Sequence, residues 1–422
     1  MQNLIQKIKI VFTDTTLRTR LIFTLLILAL SRFLSSIPIP MIDPFRLEDI
    51  LSNQFFGLLN IFSGGGLSSL SIVMLGVGPY ITASIIMQLM TMISPKLKAM
   101  YHEEGELGRL KFTQISRILT VPLAIIQGWS FLILLSRQGI IAPPGFFDIV
   151  VGVTVIVAGS VLLMWLGELI TEFGIGNGVS LLIFAGIVAS LPSQITQLVV
   201  LFDPGQIPVY LGFIIISLLV IWGVVVITEA ERPIPVTYAR RVRGMKVYGG
   251  VSTYLPLRIN QAGVIPIIFA LSFLLLPQMI MSFLATVSNS FIQNVADFFL
   301  GILANNWFYV VIYFVLVFLF TYFYTAVTFD PQAIASNLQK NGAFIPGVRP
   351  GEPTAEYVSK VLTRITLVGA IFLGFIAVLP LIMRAVTNIQ SLAIGGTALL
   401  IVVSVVLDFV KKIEAQVTMR EY

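Results

Sequence analysis

Cysteine is absent from the 422 residues, which excludes disulfides and thiolate metal sites. Charge is scarce as well, at 11% of residues, where a soluble domain carries about 25%. A chain so poor in charge cannot cover itself with a wet surface. The only histidine, His102, stands in the acidic segment His102-Glu103-Glu104, where it is expected to be solvated, and it offers no base to a serine nucleophile within the membrane. Asp203, Asp297, Asp330 and Asp408 lie in loops or near the ends of apolar runs, widely separated in sequence, so no pair resembles the shared-proton dyad of an aspartic protease. No Gly-x-x-x-x-Gly-Lys-Ser/Thr cradle for phosphate occurs. Any energy the chain uses must then come from a partner or a gradient.

What the chain does have is apolar length, with 57% of its residues hydrophobic. Ten candidate spans are read at about 21–37, 71–93, 118–135, 150–169, 179–191, 208–227, 263–283, 307–328, 365–383 and 392–410, several of them reaching the roughly 17 to 25 residues that a helix needs to cross hydrocarbon. The fifth is short and is expected to extend into its flanking Gly and Ser residues. Residues 1–20 are polar and basic and lack a cleavable signal pattern, so the first span is expected to remain in the mature chain.

The excess positive charge is explained by topology. If both termini are cytoplasmic, that side holds 22 of the 26 Lys and Arg; the other holds only Arg32, Arg46, Arg137 and Arg384. Such a bias is the signature of positive-inside orientation, so no nucleic acid is needed to account for the net +6 charge. Span centres are almost free of ionisable groups: Arg32, Glu168, Glu172 and Arg364 fall near span ends, where snorkelling to the interface is cheap.

The expected fold is therefore an all-α polytopic membrane protein of ten transmembrane helices. Its organisation reads as a cytoplasmic segment 1–20, a first half 21–200, a second half 201–410 and a tail 411–422. Five spans per half require any repeat to be inverted, although no residue-level match between the halves is visible. Two large basic loops, 229–260 and 329–360, face the cytoplasm as a docking platform; the second, rich in Gly and Pro, suggests a protruding hairpin or turn.

Several motifs carry a family resemblance. Asn60-Ile61-Phe62-Ser63-Gly64-Gly65-Gly66-Leu67-Ser68 precedes Gly76-Val77-Gly78-Pro79-Tyr80-Ile81-Thr82-Ala83-Ser84, and Gly174-Ile175-Gly176-Asn177-Gly178-Val179-Ser180 joins the fourth and fifth spans. Further on come Tyr238-Ala239-Arg240-Arg241, Leu255-Pro256-Leu257-Arg258-Ile259-Asn260-Gln261-Ala262-Gly263-Val264-Ile265-Pro266, Gly342-Ala343-Phe344-Ile345-Pro346-Gly347-Val348-Arg349-Pro350-Gly351 and Gly395-Gly396-Thr397-Ala398-Leu399-Leu400-Ile401. In this order, over nearly the whole chain, they resemble the SecY/Sec61α family of protein-conducting channels.

That resemblance implies two pseudo-symmetric inverted halves around a central pore, and a passive channel rather than an enzyme. It implies a pore ring of Val77, Ile81, Val179, Ile183, Ile268 and Ile401, two of them smaller than the isoleucine common in the family. An apolar constriction of this kind blocks ions by dewetting; without the family, these are ordinary apolar residues facing lipid or core. Residues 60–70, with Asn60, Ile61, Phe62, Ser63, Gly64, Gly65, Gly66, Leu67 and Ser68, become a plug, whose glycines each weaken a helix by about 1 kcal/mol relative to alanine; read alone, they are a flexible loop.

Thr82, Gln88 and Asn260 fall at a lateral gate between the second and seventh spans, where helix packing is the plainer reading. Arg240, Arg241, Arg243 and Arg349 become docking residues for the SecA motor or the ribosome, guanidinium suiting both phosphate and carboxylate; the plainer reading is a solvated positive-inside loop. Also implied are the small subunits SecE and SecG, preprotein signal sequences as substrates, a place in the bilayer of the cell's inner membrane with both termini cytoplasmic, no cofactor or metal, and scope for higher oligomers. A secondary transporter is the competing reading, to be marked by charged or unwound sites at mid-membrane. An intramembrane enzyme is a third.

Overall fold

The computed structural model describes residues 13–39, 70–102, 104–137, 145–200, 205, 207–238, 241–243, 246–248, 252–284, 289–387 and 395–421. The plug residues 60–68 and Arg240 lie outside this set, as do Asp203, Glu103 and the side chain of His102.

Each of the ten candidate spans falls on a helix. In the first half these are α1 (Thr15–Ser35), α2 (Gly78–Ile93), α4 (Gly105–Arg137), α5 (Phe146–Phe173) and α6 (Gly178–Val200), with the short α3 (Pro95–His102) between α2 and α4. In the second half they are α7 (Ile207–Glu229), α8 (Ile265–Leu284), α10 (Asn306–Thr328), α12 (Glu352–Thr387) and α13 (Gly395–Glu421). Five of them are long and apolar enough, on length and composition alone, to cross a membrane. The fifth span extends as expected, past Pro192 to 23 residues. The second is shorter than its apolar run: residues 70–77 form turns, and the helix starts at Gly78 with Pro79 in its first turn.

Local chemistry sets the ends. Asp14 accepts from Thr16 N at 2.8 Å and Leu17 N at 3.2 Å, and Asn305 caps α10 by accepting from Trp307 N at 3.1 Å. Such caps satisfy donors that the first turn leaves orphaned. Inside the spans, hydroxyls bond back to their own helix: Thr24 to the Arg20 carbonyl, Thr120 to Ser116, Thr321 to Val317 and Thr325 to Thr321. Lipid supplies no partners, so polar groups must be satisfied internally.

The chain is overwhelmingly helical, and its two basic loops add a small sheet to it. A hairpin lies in the first loop, where β1 (Glu231–Tyr238) pairs antiparallel with β4 (Ser252–Arg258), and a smaller ribbon, β2 (Arg241–Arg243) with β3 (Lys246–Tyr248), lies between them in sequence. The second loop gives α11 (Pro331–Lys340) and the short β5 (Ala343–Phe344), which joins β1 in a sheet of order β4-β1-β5. Ile234, Val236, Leu257, Ala343, Ile345, Val358 and Leu362 bury one core between this sheet and α12. The two loops are thus one platform. Prolines hid the hairpin: Pro233 faces Pro256, so two residues without a donor share one rung.

Candidate functional site: a cavity with an apolar floor

The first wall is built on the turns before α2. Leu70, at φ +41, and Ser71 pair with the end of α1 through Ile39 N to Leu70 O at 2.9 Å and Ile72 N to Ile37 O at 3.0 Å. On the other side the strap touches Gly159 of α5, where an added Cβ would sit 2.0 Å from the Ile72 carbonyl oxygen. Only glycine allows that approach. So clamped, the strap delivers Val77 as the N-cap of α2, and Ile81 N bonds Val77 O at 3.0 Å, keeping the two one turn apart.

The second wall follows from the α5–α6 junction. Gly178 N donates to Thr171 Oγ1 at 2.9 Å, Ile175 N donates to Thr24 Oγ1 of α1 at 3.2 Å, and Asn177 Oδ1 caps α6 by accepting from Ser180 N. Gly178 passes so close to the Gly167 carbonyl that no Cβ fits between them. This explains the glycine-rich motif and places Val179 and Ile183 on the first turns of α6. In the second half, the Asn260 side chain donates to Gly263 O at 3.2 Å in the turn that opens α8. Edge-to-face contacts of Phe269 with Phe320 and Tyr324, at 6.0 and 6.1 Å, hold α8 to α10.

Five of the proposed ring residues, Val77, Ile81, Ile183, Ile268 and Ile401, are buried in one apolar cluster, with Val179 packed against it. A cavity of about 230 Å³ opens beside them, lined among others by Ser180, Asn260, Ile265, Tyr324, Ser404 and Asp408. Ile183, Ile268 and Ile401 each lie three residues along a helix from lining residues Ser180, Ile265 and Ser404, about one turn of 5.4 Å further in. Leu181, Val264 and Val405 both line the cavity and belong to the apolar cluster, so the polar-rimmed cavity abuts branched aliphatic side chains. Lys411 to Glu229 at 2.8 Å and Lys412 to Asp408 at 3.1 Å stand at its rim, near the end of β4.

The gate residues behave differently from a cross-helix latch. Thr82 Oγ1 donates to Gly78 O at 3.0 Å and Gln88 Nε2 to Ser84 Oγ at 3.2 Å. These bonds, like that of Asn260, stay within one helix or turn, and Gln88 Oε1 and Asn260 Oδ1 are buried without a partner. The helices themselves do meet, since α8 packs against both α2 and α4. On the platform, Arg349 is exposed while its carbonyl accepts from Thr354 Oγ1 at 2.8 Å, between turns at Gly347 and Gly351 whose positive φ favours glycine. Arg241 and Arg243 belong to the small ribbon.

Sequence reasoning missed the long-range ion pairs, Lys411 with Glu229 and also Glu168 of α5 with Arg117 of α4 at 2.6 Å. The latter two are 51 residues apart, so no helical spacing could reveal the pair. Among the described residues no cluster of His, Asp and Glu could hold a metal.

A SecY family model matches residues 71–410. The protein translocase subunit SecY of Thermus thermophilus is 44% identical over 420 residues, covering 96% of this chain and 94% of its own, and that of Mycobacterium bovis is 43% identical over 427 residues, covering 96% of each. Among solved structures, a protein-conducting channel matches with TM-score 0.65 at 19% identity, over 94% of this chain and 92% of its own. Sec61 from a canine ribosome-channel complex matches with TM-score 0.62 at 17% identity, over 94% and 92%. The membrane helices, the motifs in order and the match over most of the length agree, and this chain belongs to the SecY family.

Proposed function

We propose that the chain is the central pore-forming subunit of a protein-conducting channel of the inner membrane, passing unfolded preproteins across and releasing membrane segments sideways between α2 and α8. The observation that carries this reading is the cavity, whose lining residues Leu181, Val264 and Val405 belong to the same buried apolar cluster as the proposed ring residues. A seal of this kind excludes ions by dewetting while yielding to a peptide. Residues 60–70 act as the plug; a related SecY structure is described as having a plug domain that stabilises the closed state and maintains a membrane seal.

The channel is passive, its two halves of five spans being related by inversion. Energy is supplied by SecA or by the translating ribosome, which dock on the platform through Arg349 and the basic residues Arg240, Arg241 and Arg243. SecE and SecG complete the heterotrimer, for which the long exposed apolar face of α7 offers a surface, and both termini are cytoplasmic.

The test is ion conductance of the complex in planar bilayers, wild type against a deletion of residues 60–68. A silent wild type and a leaky deletion support the plugged pore. Silence in both, with the complex folded and inserted, returns the transporter reading.

A further inference from the structure

Between α8 and α10 lies α9 (Ser290–Ala304), a 15-residue helix that no motif announces. Since the platform joins the start of α8 and α9 follows its end, α9 sits on the opposite side of the membrane. Its surface divides into three lengthwise strips. One strip, centred on the fully buried Ala296 with Ile292, Leu300 and Leu303 beside it, packs on the protein, chiefly on α8. A second, polar strip exposes Ser290, Asn294 and Asp297. The third is apolar yet open: Phe291 is 74% exposed, Phe298 66%, Phe299 46% and Val295 37%.

The polar and the open apolar strips both run the length of the helix. A helix standing across hydrocarbon would have to bury Asp297 and Asn294 in lipid, and one lying in water would leave three phenylalanines bare. Only a helix lying along the boundary satisfies both strips at once. The apolar strip also continues onto the span α10, where Trp307, Phe308 and Val311 are exposed just beyond Asn305, and tryptophan is typical of the membrane boundary.

We infer that α9 is an interfacial lipid-binding helix, which sinks Phe291, Phe298 and Phe299 into the leaflet opposite the platform and ties the outer end of α8 to the bilayer surface. The helix carries one acidic residue and no basic one, so its lipid contact is apolar and does not depend on anionic headgroups.

The absence of native cysteine makes the test clean. Single cysteines at Phe298, Asn294 and Ala296 are spin-labelled in the full complex, which is reconstituted in phosphatidylcholine vesicles with and without phosphatidylglycerol. Relaxation by oxygen, which concentrates in lipid, is compared with relaxation by a water-soluble nickel chelate. The expected oxygen-to-nickel ratio is several-fold higher at Phe298→Cys than at Asn294→Cys, alike in both vesicles, with Ala296→Cys shielded from both reagents. Equal ratios at Phe298→Cys and Asn294→Cys overturn the inference, as does shielding of Phe298→Cys from both reagents, which means that a protein covers the strip. A contrast present only with phosphatidylglycerol refutes the apolar mode of binding.

Discussion

Arg117 Nε lies 2.6 Å from Glu168 Oε1, joining α4 to α5. The side chains are 43% and 18% exposed, so the pair is only partly withdrawn from polar surroundings and its worth is below about 1 kcal/mol. Glu168→Gln should lower the thermal midpoint of the complex by no more than a few degrees. The charge swap Arg117→Glu with Glu168→Arg should recover most of that loss, a coupling measured by a double-mutant cycle. Additive losses would mean that the two side chains act separately.

The contact of Gly159 with the Ile72 carbonyl predicts a sharper effect. A backbone oxygen cannot swing aside, so Gly159→Ala should destabilise the complex by about 1–3 kcal/mol through overpacking. Gly212 of α7 has nothing within 4 Å of an added Cβ, so Gly212→Ala should be neutral or gain up to about 1 kcal/mol of helix propensity. Thermal unfolding of both variants in the same detergent checks the contrast.

Ring substitutions test the seal separately from the plug. Ile81→Ser with Ile268→Ser replaces two buried branched side chains of the apolar cluster by hydroxyls, wetting the constriction. Resting ion conductance should rise at least several-fold. Val77→Ile with Val179→Ile should leave it at or below the wild-type level.

Gln88 gives a prediction whose direction only the structure supplies. Its Oε1 is buried without a partner, and such an orphan costs about 1–3 kcal/mol. Gln88→Leu should therefore stabilise the packing of α2 against α8 described here, raising the thermal midpoint and strengthening disulfide crosslinking between cysteines introduced across the two helices. Weaker crosslinking would mean that Gln88 reaches a partner across the gate.

On the platform, Thr354→Ala removes the hydroxyl that holds the Arg349 carbonyl. Motor-driven translocation should fall a few-fold in this variant, whereas Arg349→Glu should reduce it by at least tenfold. The measurement is SecA ATPase stimulation by proteoliposomes carrying each variant.

Composition and charge order were enough to determine a membrane protein with ten candidate spans, because hydrocarbon leaves the backbone few options and sorts Lys and Arg to one side. The motif at 174–180 located the α5–α6 junction, and the structure shows why: Gly178 is a place where backbone meets backbone. What the sequence could not reveal were relationships made across the fold. The Arg117–Glu168 pair and the single sheet shared by two loops both depend on which distant segments meet. The open phenylalanine strip of α9 is of the same kind. Its amphipathic pattern is local, but which strip the protein covers, and which is left for lipid, was decided only when α9 packed against α8.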